Sequence, residues 1–204
     1  VFSADGRALY FCSSKPYDIQ SDYQKIKYSL CKIDFNSDNG TFGTKVDTLV
    51  SSSKLNKSVS FPRPSFDGKY LMFTLSDYGN FSIWHREADL YLLTLSTGAF
   101  RPISEVNSAD TESFHDWTTN SRWFVFSSRR GDGLYTRLYL ASMDENGKIG
   151  KPFLLPQKDP RFYDVSLFSY NVPEFITAPV KVDVSEFERK AVSEERKQMV
   201  YTKK

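Results

Sequence analysis

One short pattern recurs three times along this 204-residue chain, and it restricts the folds open to it. The first copy runs Phe2-Ser3-Ala4-Asp5-Gly6-Arg7-Ala8-Leu9-Tyr10-Phe11. The second runs Ser65-Phe66-Asp67-Gly68-Lys69-Tyr70-Leu71-Met72-Phe73, and the third Trp117-Thr118-Thr119-Asn120-Ser121-Arg122-Trp123-Phe124-Val125-Phe126. Asp5, Asp67 and Asn120 align, followed by Gly6, Gly68 and Ser121 and then by Arg7, Lys69 and Arg122. Asp-Gly and Asn-Ser tolerate turn and left-handed conformations. An apolar, β-prone run follows each one, so the turn launches a strand.

Each run ends in a polar break, at residues 13–16, 76–80 and 127–133. Second strands are predicted over 28–35, 88–95 and 136–143, each closed by a small turn at 37–40, 96–98 or 144–147. Shorter outer strands are predicted at 45–50, 99–103 and 152–155. Three or four antiparallel strands per unit is the build of one propeller blade. The chain therefore reads as all-β: a β-propeller segment of about three to four antiparallel blades over residues 1–180. Residues 181–204 form a tail, in which Ser185-Glu186-Phe187-Glu188 matches a capping box and predicts a short C-terminal helix over 186–199. Its apolar positions are sparse, which places it on a surface.

The turns lie 62 and 53 residues apart. Plain blade repeats span roughly 40–45. The excess is assigned to surface insertions at 15–25 and 51–64, since loops tolerate insertion and carry function. Three units fall short of the roughly 4–8 blades of a closed ring. The chain also begins inside the motif, so the reading expects further blades upstream, with an open arc or closure between chains as the alternatives.

Composition excludes some partners. Net charge is +2, which gives no reason to expect a nucleic-acid or anionic-membrane surface. Arg129-Arg130 and Lys203-Lys204 read as solvated pairs. No apolar run approaches the roughly 20 residues needed to span a bilayer. Cys12 and Cys31 fall in neighbouring predicted strands, as a cross-strand disulfide or as two small buried hydrophobes. They are too few for a zinc site, and neither a metal nor a cofactor is expected.

The pattern of an aromatic or Ser, a spacer, Asp-Gly, a basic residue and an apolar run ending in Phe resembles the TolB-like, WD-repeat-related propeller family. The fullest match runs from Trp117 through Ser127-Ser128-Arg129-Arg130-Gly131 to Leu138-Tyr139. The segment from Pro156 to Phe175 is similar to the close of such domains in Bacteroides-type proteins. The resemblance implies a periplasmic or otherwise extracytoplasmic setting and a protein partner.

No Gly-x-Ser-x-Gly elbow, phosphate-cradling loop or helical His metal motif occurs, so no catalytic residue is assigned. Seven residues are candidates for binding: Tyr78, Phe81, Trp84, Arg86, His115, Asp116 and Arg130. Trp84 with Arg86 would form an exposed recognition patch, unless the loop tucks Trp84 under its blade. His115-Asp116 would orient a ligand or shuttle a proton, unless it serves packing between blades. Arg130-Gly131-Asp132 reads as an adhesion-type motif or, more simply, as a tight strand connection. Asp77 and Asp132 lack the further oxygen ligands that calcium needs. Glu112 with its neighbouring carboxylates keeps a glycoside-cleaving option open, which depends on a separation that sequence does not supply.

Two functions follow. The first is a non-catalytic propeller module, a protein-interaction or ligand-binding scaffold in the cell envelope, with a small ligand or glycan as a secondary partner. The alternative is a carbohydrate-active enzyme or the regulatory propeller of a hydrolase.

Overall fold

The computed structural model describes residues 1–193. Eleven strands form three antiparallel sheets, and each sheet is one repeat unit. The first holds β1 (Ala8–Ser13), β2 (Ser29–Asn36) and β3 (Thr41–Val50) in that order. The second holds β4 (Ser58–Pro64), β5 (Tyr70–Ser76), β6 (Asp89–Thr94) and β7 (Phe100–Pro102). The third holds β8 (Glu112–Trp117), β9 (Trp123–Ser128), β10 (Arg137–Ser142) and β11 (Phe153–Leu154). These are propeller blades, as the repeat requires.

The launching turn is built the same way three times. Gly6 and Gly68 have φ of 68° and 69°, and Ser121, in the matching position, has 56°. The Ser65 hydroxyl donates to Asp67 Oδ1 at 2.6 Å and accepts from the Tyr70 amide at 3.0 Å, while Asp67 Oδ1 also accepts from the Lys69 amide at 3.1 Å. Ser3 with Asp5 and Thr118 with Asn120 repeat the arrangement. The hydroxyl and the Asx oxygen take up amides that a tight turn leaves without carbonyl partners.

The sheets bury apolar residues against one another. Leu30, Val50, Val59, Leu71 and Phe73 fill the space between blades 1 and 2. Met72, Leu90, Trp117, Phe124 and Phe126 fill that between blades 2 and 3. Side chains that alternate along a strand face opposite neighbours. Each fully buried Phe or Leu contributes roughly 1.5–3 kcal/mol.

Three expectations are corrected here. Residues 51–64 are not a surface insertion: they include β4, the innermost strand of blade 2, and β8 likewise precedes the third turn. Cys12 and Cys31 are free thiols. Cys12 pairs with Leu30 and Cys31 with Phe11, so adjacent pleats turn the two thiols to opposite faces, where no disulfide can form. The tail helix spans Val184–Val192 and starts earlier than the capping box suggests, because the Asp183 carboxylate accepts the Ser185 amide at 2.9 Å. The predicted extension to Met199 lies outside the described residues.

A further blade opening was not expected. In β4 and β8, Phe61 and Phe114 sit at bulges with φ of 51° and 39°, and their rings meet at a tilt of 44° with centroids 4.5 Å apart. Two residues before each, an amide donates to the preceding blade: Val59 to the Tyr28 carbonyl at 2.9 Å and Glu112 to Ala88 at 2.8 Å. The Tyr170 amide donates to Thr136 at 3.0 Å, and Val172, two residues on, has φ of 53°. Thr136 directly precedes β10, as Tyr28 precedes β2 and Ala88 precedes β6. Residues 169–175 therefore repeat the opening of an innermost strand on the far side of blade 3. At the other end, Phe2 bridges to Leu9 in the register of Pro64 to Leu71 and Trp117 to Phe124.

Candidate functional site

An antiparallel meander sends its connections alternately to two ends. The Asp-Gly turns and the small Gly turns share one end. The long breaks after β1, β5 and β9 share the other, together with the connections between blades. Five of the seven candidate residues lie on this loop end: Tyr78, Phe81, Trp84 and Arg86 between β5 and β6, and Arg130 after β9.

Trp84 is 75% exposed, so the loop does not tuck it away. It ends a single 3-10 turn, Ser82–Trp84, whose Ser82 hydroxyl is buried and lies 2.6 Å from that of Ser113 in β8. That anchor and the buried Ile83 leave the indole pointing outward. The Arg129 guanidinium stacks on the indole at 5.1 Å and donates to the Gly133 carbonyl at 2.5 Å. The Arg86 Nε donates to the Ala109 carbonyl at 3.2 Å. Between these groups and the 129–133 loop lies a polar cleft of about 560 Å³. Phe81 and Leu134, each 70% exposed, add apolar surface on the same two loops. Tyr78 is half-buried, its ring edge-on to His85 at 4.4 Å, and supports the loop from behind.

Arg130 borders the cleft but is held inward. Its guanidinium donates to Glu112 at 2.9 Å and to the Val106 carbonyl, and it stacks on Tyr139 at 4.5 Å. Glu112 is fully buried and also accepts from the Ser108 amide at 2.8 Å, the Ser108 hydroxyl at 2.7 Å and the Ser128 hydroxyl at 2.8 Å. A carboxylate with four donors, one of them cationic, is stable in a low dielectric. The pair ties β8 to β9 and to the blade 2 to blade 3 connection.

His115 and Asp116 lie away from the cleft, on β8. The His115 ring is 2% exposed, and neither nitrogen has a hydrogen-bond partner. Burial lowers its pKa to about 3; the Met72 and Phe61 carbonyls nearby offset this only in part, at poor hydrogen-bonding geometry. Its imidazole is neutral near pH 7. Asp116 accepts the Phe175 amide at 2.8 Å and so fixes residues 169–175. The three groups named for catalysis, Glu112, His115 and Asp116, thus spread over a packing network and an inner edge. Among the described residues no three His, Cys, Asp or Glu side chains gather as a metal site would require.

Sequence reasoning found the Trp84–Arg86 loop but missed Arg129 as its partner, Leu134 beside it and the Glu112–Arg130 tie. The Arg129–Trp84 contact joins residues of two blades, so no local spacing reveals it. The opening of the fourth unit did leave a signal. Ser169-Tyr170-Asn171-Val172-Pro173 aligns with Ser58-Val59-Ser60-Phe61-Pro62.

No protein-family model matches this sequence, and no curated protein matches it. Solved structures do resemble it. A protein assigned as TolB from Agrobacterium tumefaciens is 19% identical with a TM-score of 0.50, over 75% of this chain and 46% of that one. TolB from Acinetobacter baumannii is 21% identical with a TM-score of 0.45, over 74% of this chain and 30% of that one. The β-propeller domain of the Trilobed protease from Pyrococcus furiosus is 17% identical with a TM-score of 0.41, over 75% and 41%. The chain spans less than half the length of each. At these identities the likeness is one of fold, and it agrees with the three blades described above.

Proposed function

We propose that this propeller segment is a non-catalytic module that binds a partner protein through its loop end, with Trp84 at the centre of contact. The observation that carries this reading is the outward indole, stacked on Arg129 with Leu134 beside it and the exposed Phe81 on the same loop. Trp and Arg are the residues most enriched at interface hot spots, and monomeric surfaces rarely gather exposed apolar side chains without a use. The buried tie of Glu112, the enclosed His115 ring and the use of Asp116 to hold the Phe175 amide weigh against the alternative of a carbohydrate-active site built on them. The blades, residues 1–180, supply the scaffold in this reading, and residues 181–204 are its tail. An extracytoplasmic, cell-envelope setting is part of the proposal and rests on the resemblance to TolB-like propellers. Among the described residues no helix is long and apolar enough to cross a membrane.

The test is site-specific crosslinking in the source cell. A photoreactive residue at Phe81 is expected to trap a defined protein, and one at Thr97, on the opposite turn end, is not. Trp84→Ala is expected to abolish the adduct while the melting temperature stays within about 1 °C, because the side chain is exposed. Equal adducts at both ends, or unfolding by Trp84→Ala, would sink the reading.

A further inference from the structure

The charges around the cleft are unevenly matched. Neither Arg86 nor Arg129 makes an ion pair with any carboxylate among the described residues. Both are nevertheless held in place. Arg86 lines the cleft and is fixed through Nε, which leaves its two terminal nitrogens without an acceptor among the described residues, and Arg129 is fixed by the Gly133 and Ile83 carbonyls and by the Trp84 face. Each of the two carboxylates in the cleft wall turns one oxygen to backbone, and Arg129 lies near enough to Asp132 to help lower its pKa. Asp132 accepts the Leu134 and Tyr135 amides, each at 2.8 Å, which lowers its pKa and keeps it ionised, and it lies 3.9 Å from Arg137. Asp110 accepts the Thr111 amide at 2.8 Å. A guanidinium held by one nitrogen and open at the others is pre-organised for a carboxylate, which it binds through two parallel hydrogen bonds.

We propose that the cleft takes a glutamate or aspartate side chain from an acidic, apolar-flanked peptide segment of the partner protein. Arg86 supplies the main contact and Arg129 the second, with Trp84 covering the aliphatic stem. Trp84, Phe81 and Leu134 are apolar surface beside two cations, which suits acidic residues alternating with apolar ones better than a hydroxyl-rich acidic glycan. This inference deepens the protein-binding reading and rests on it.

The experiment titrates the 204-residue chain with an acetylated, amidated hexapeptide of alternating Glu and Leu. Tryptophan fluorescence and calorimetry report binding. Parallel titrations use the same peptide with Gln for Glu, its Lys counterpart, and trigalacturonate. The Glu peptide is expected to bind, to weaken as salt rises, and to exceed the Gln peptide by about tenfold or more. Arg86→Gln, at an exposed side chain, is expected to lower affinity for the Glu peptide about tenfold with no change for the Gln peptide. Arg129→Gln should do the same, with its fold checked by circular dichroism. Equal binding of the Glu and Gln peptides, indifference to Arg86→Gln, preference for trigalacturonate, or no binding at millimolar peptide each overturns the proposal. If the Phe81 adduct forms while the Glu peptide fails, the interaction module stands and only the acidic-ligand assignment falls.

Discussion

His115 shows how far a single residue can be read from sequence. Its place beside Asp116 invites a proton-transfer role, yet the packing of β8 against β4 decides otherwise. With an unfolded pKa near 6.5 and a folded value of about 3, the folded state binds fewer protons than the unfolded state across that window. Its contribution is therefore fully retained above pH 6.5 and is lost as pH falls toward 3. At pH 5 the loss is about 2 kcal/mol. His115→Leu is expected to flatten this acid slope in denaturant unfolding measured from pH 7 to pH 4. Asp89 acts in the opposite sense, since burial and the nearby Glu112 push its carboxyl to about 6, so only the difference between variant and parent isolates His115. The Glu112–Arg130 tie is a second case. Arg130→Ala leaves a buried carboxylate without its cation and is expected to cost about 3–5 kcal/mol, measured by chemical denaturation. A double change of both residues to apolar ones should recover much of that loss. Both residues stood out in the sequence but their pairing did not, because they lie 18 positions apart across a strand turn.

At the scale of elements, the strands that follow a turn signal were legible and the strands that precede one were not. β5, β6, β9 and β10 are continuous apolar runs behind Asp-Gly or a polar break. β4 and β8 mix Ser, Glu, His, Pro and Arg with aromatics, so their composition reads as loop. They are strands because one edge pairs along β5 or β9, because a single amide ties the other edge to the preceding blade, and because bulges at Phe61 and Phe114 absorb the irregular pattern. Residues 169–175 share that disguise. Their attachment to blade 3 is expected to depend on the Tyr170 amide. Tyr170→Pro removes that donor, and limited proteolysis should then cut within 166–175 at rates at least tenfold higher, while the cores between blades stay intact. Val172→Gly is expected to act the other way. A β-branched residue at φ of 53° is strained, and glycine relieves roughly 1 kcal/mol, which should appear as greater amide protection of the same segment.

At the scale of the molecule, three blades stack through the same amide-to-carbonyl contact, and the opening of a fourth makes it again. The repeat count and the blade order followed from the turns alone. The division of labour between the two ends did not. The turn end is built three times from the same Ser or Thr and Asx groups, whereas the loop end differs in every blade. That difference lies in the breaks, whose conformation depends on neighbours such as Ser113 under Ser82 and Arg129 over Trp84.

The opposed placement of Cys12 and Cys31 carries one more consequence. Cys12 packs into the contact between blades 1 and 2, and burial pushes its thiol up to about 12. Cys31 lies on the reverse side of the same sheet, beside Thr48, with its own thiol also raised by burial. Near neutral pH, an alkylating reagent should reach each only when its own side opens. The two labelling rates then form a pair of clocks, read by mass spectrometry in mild urea. Equal rates would mean that blade 1 dissolves as a unit. A Cys31 rate well ahead of Cys12 would mean that the outer face frays while the seam to blade 2 still holds, and so would order the first steps by which the stack comes apart.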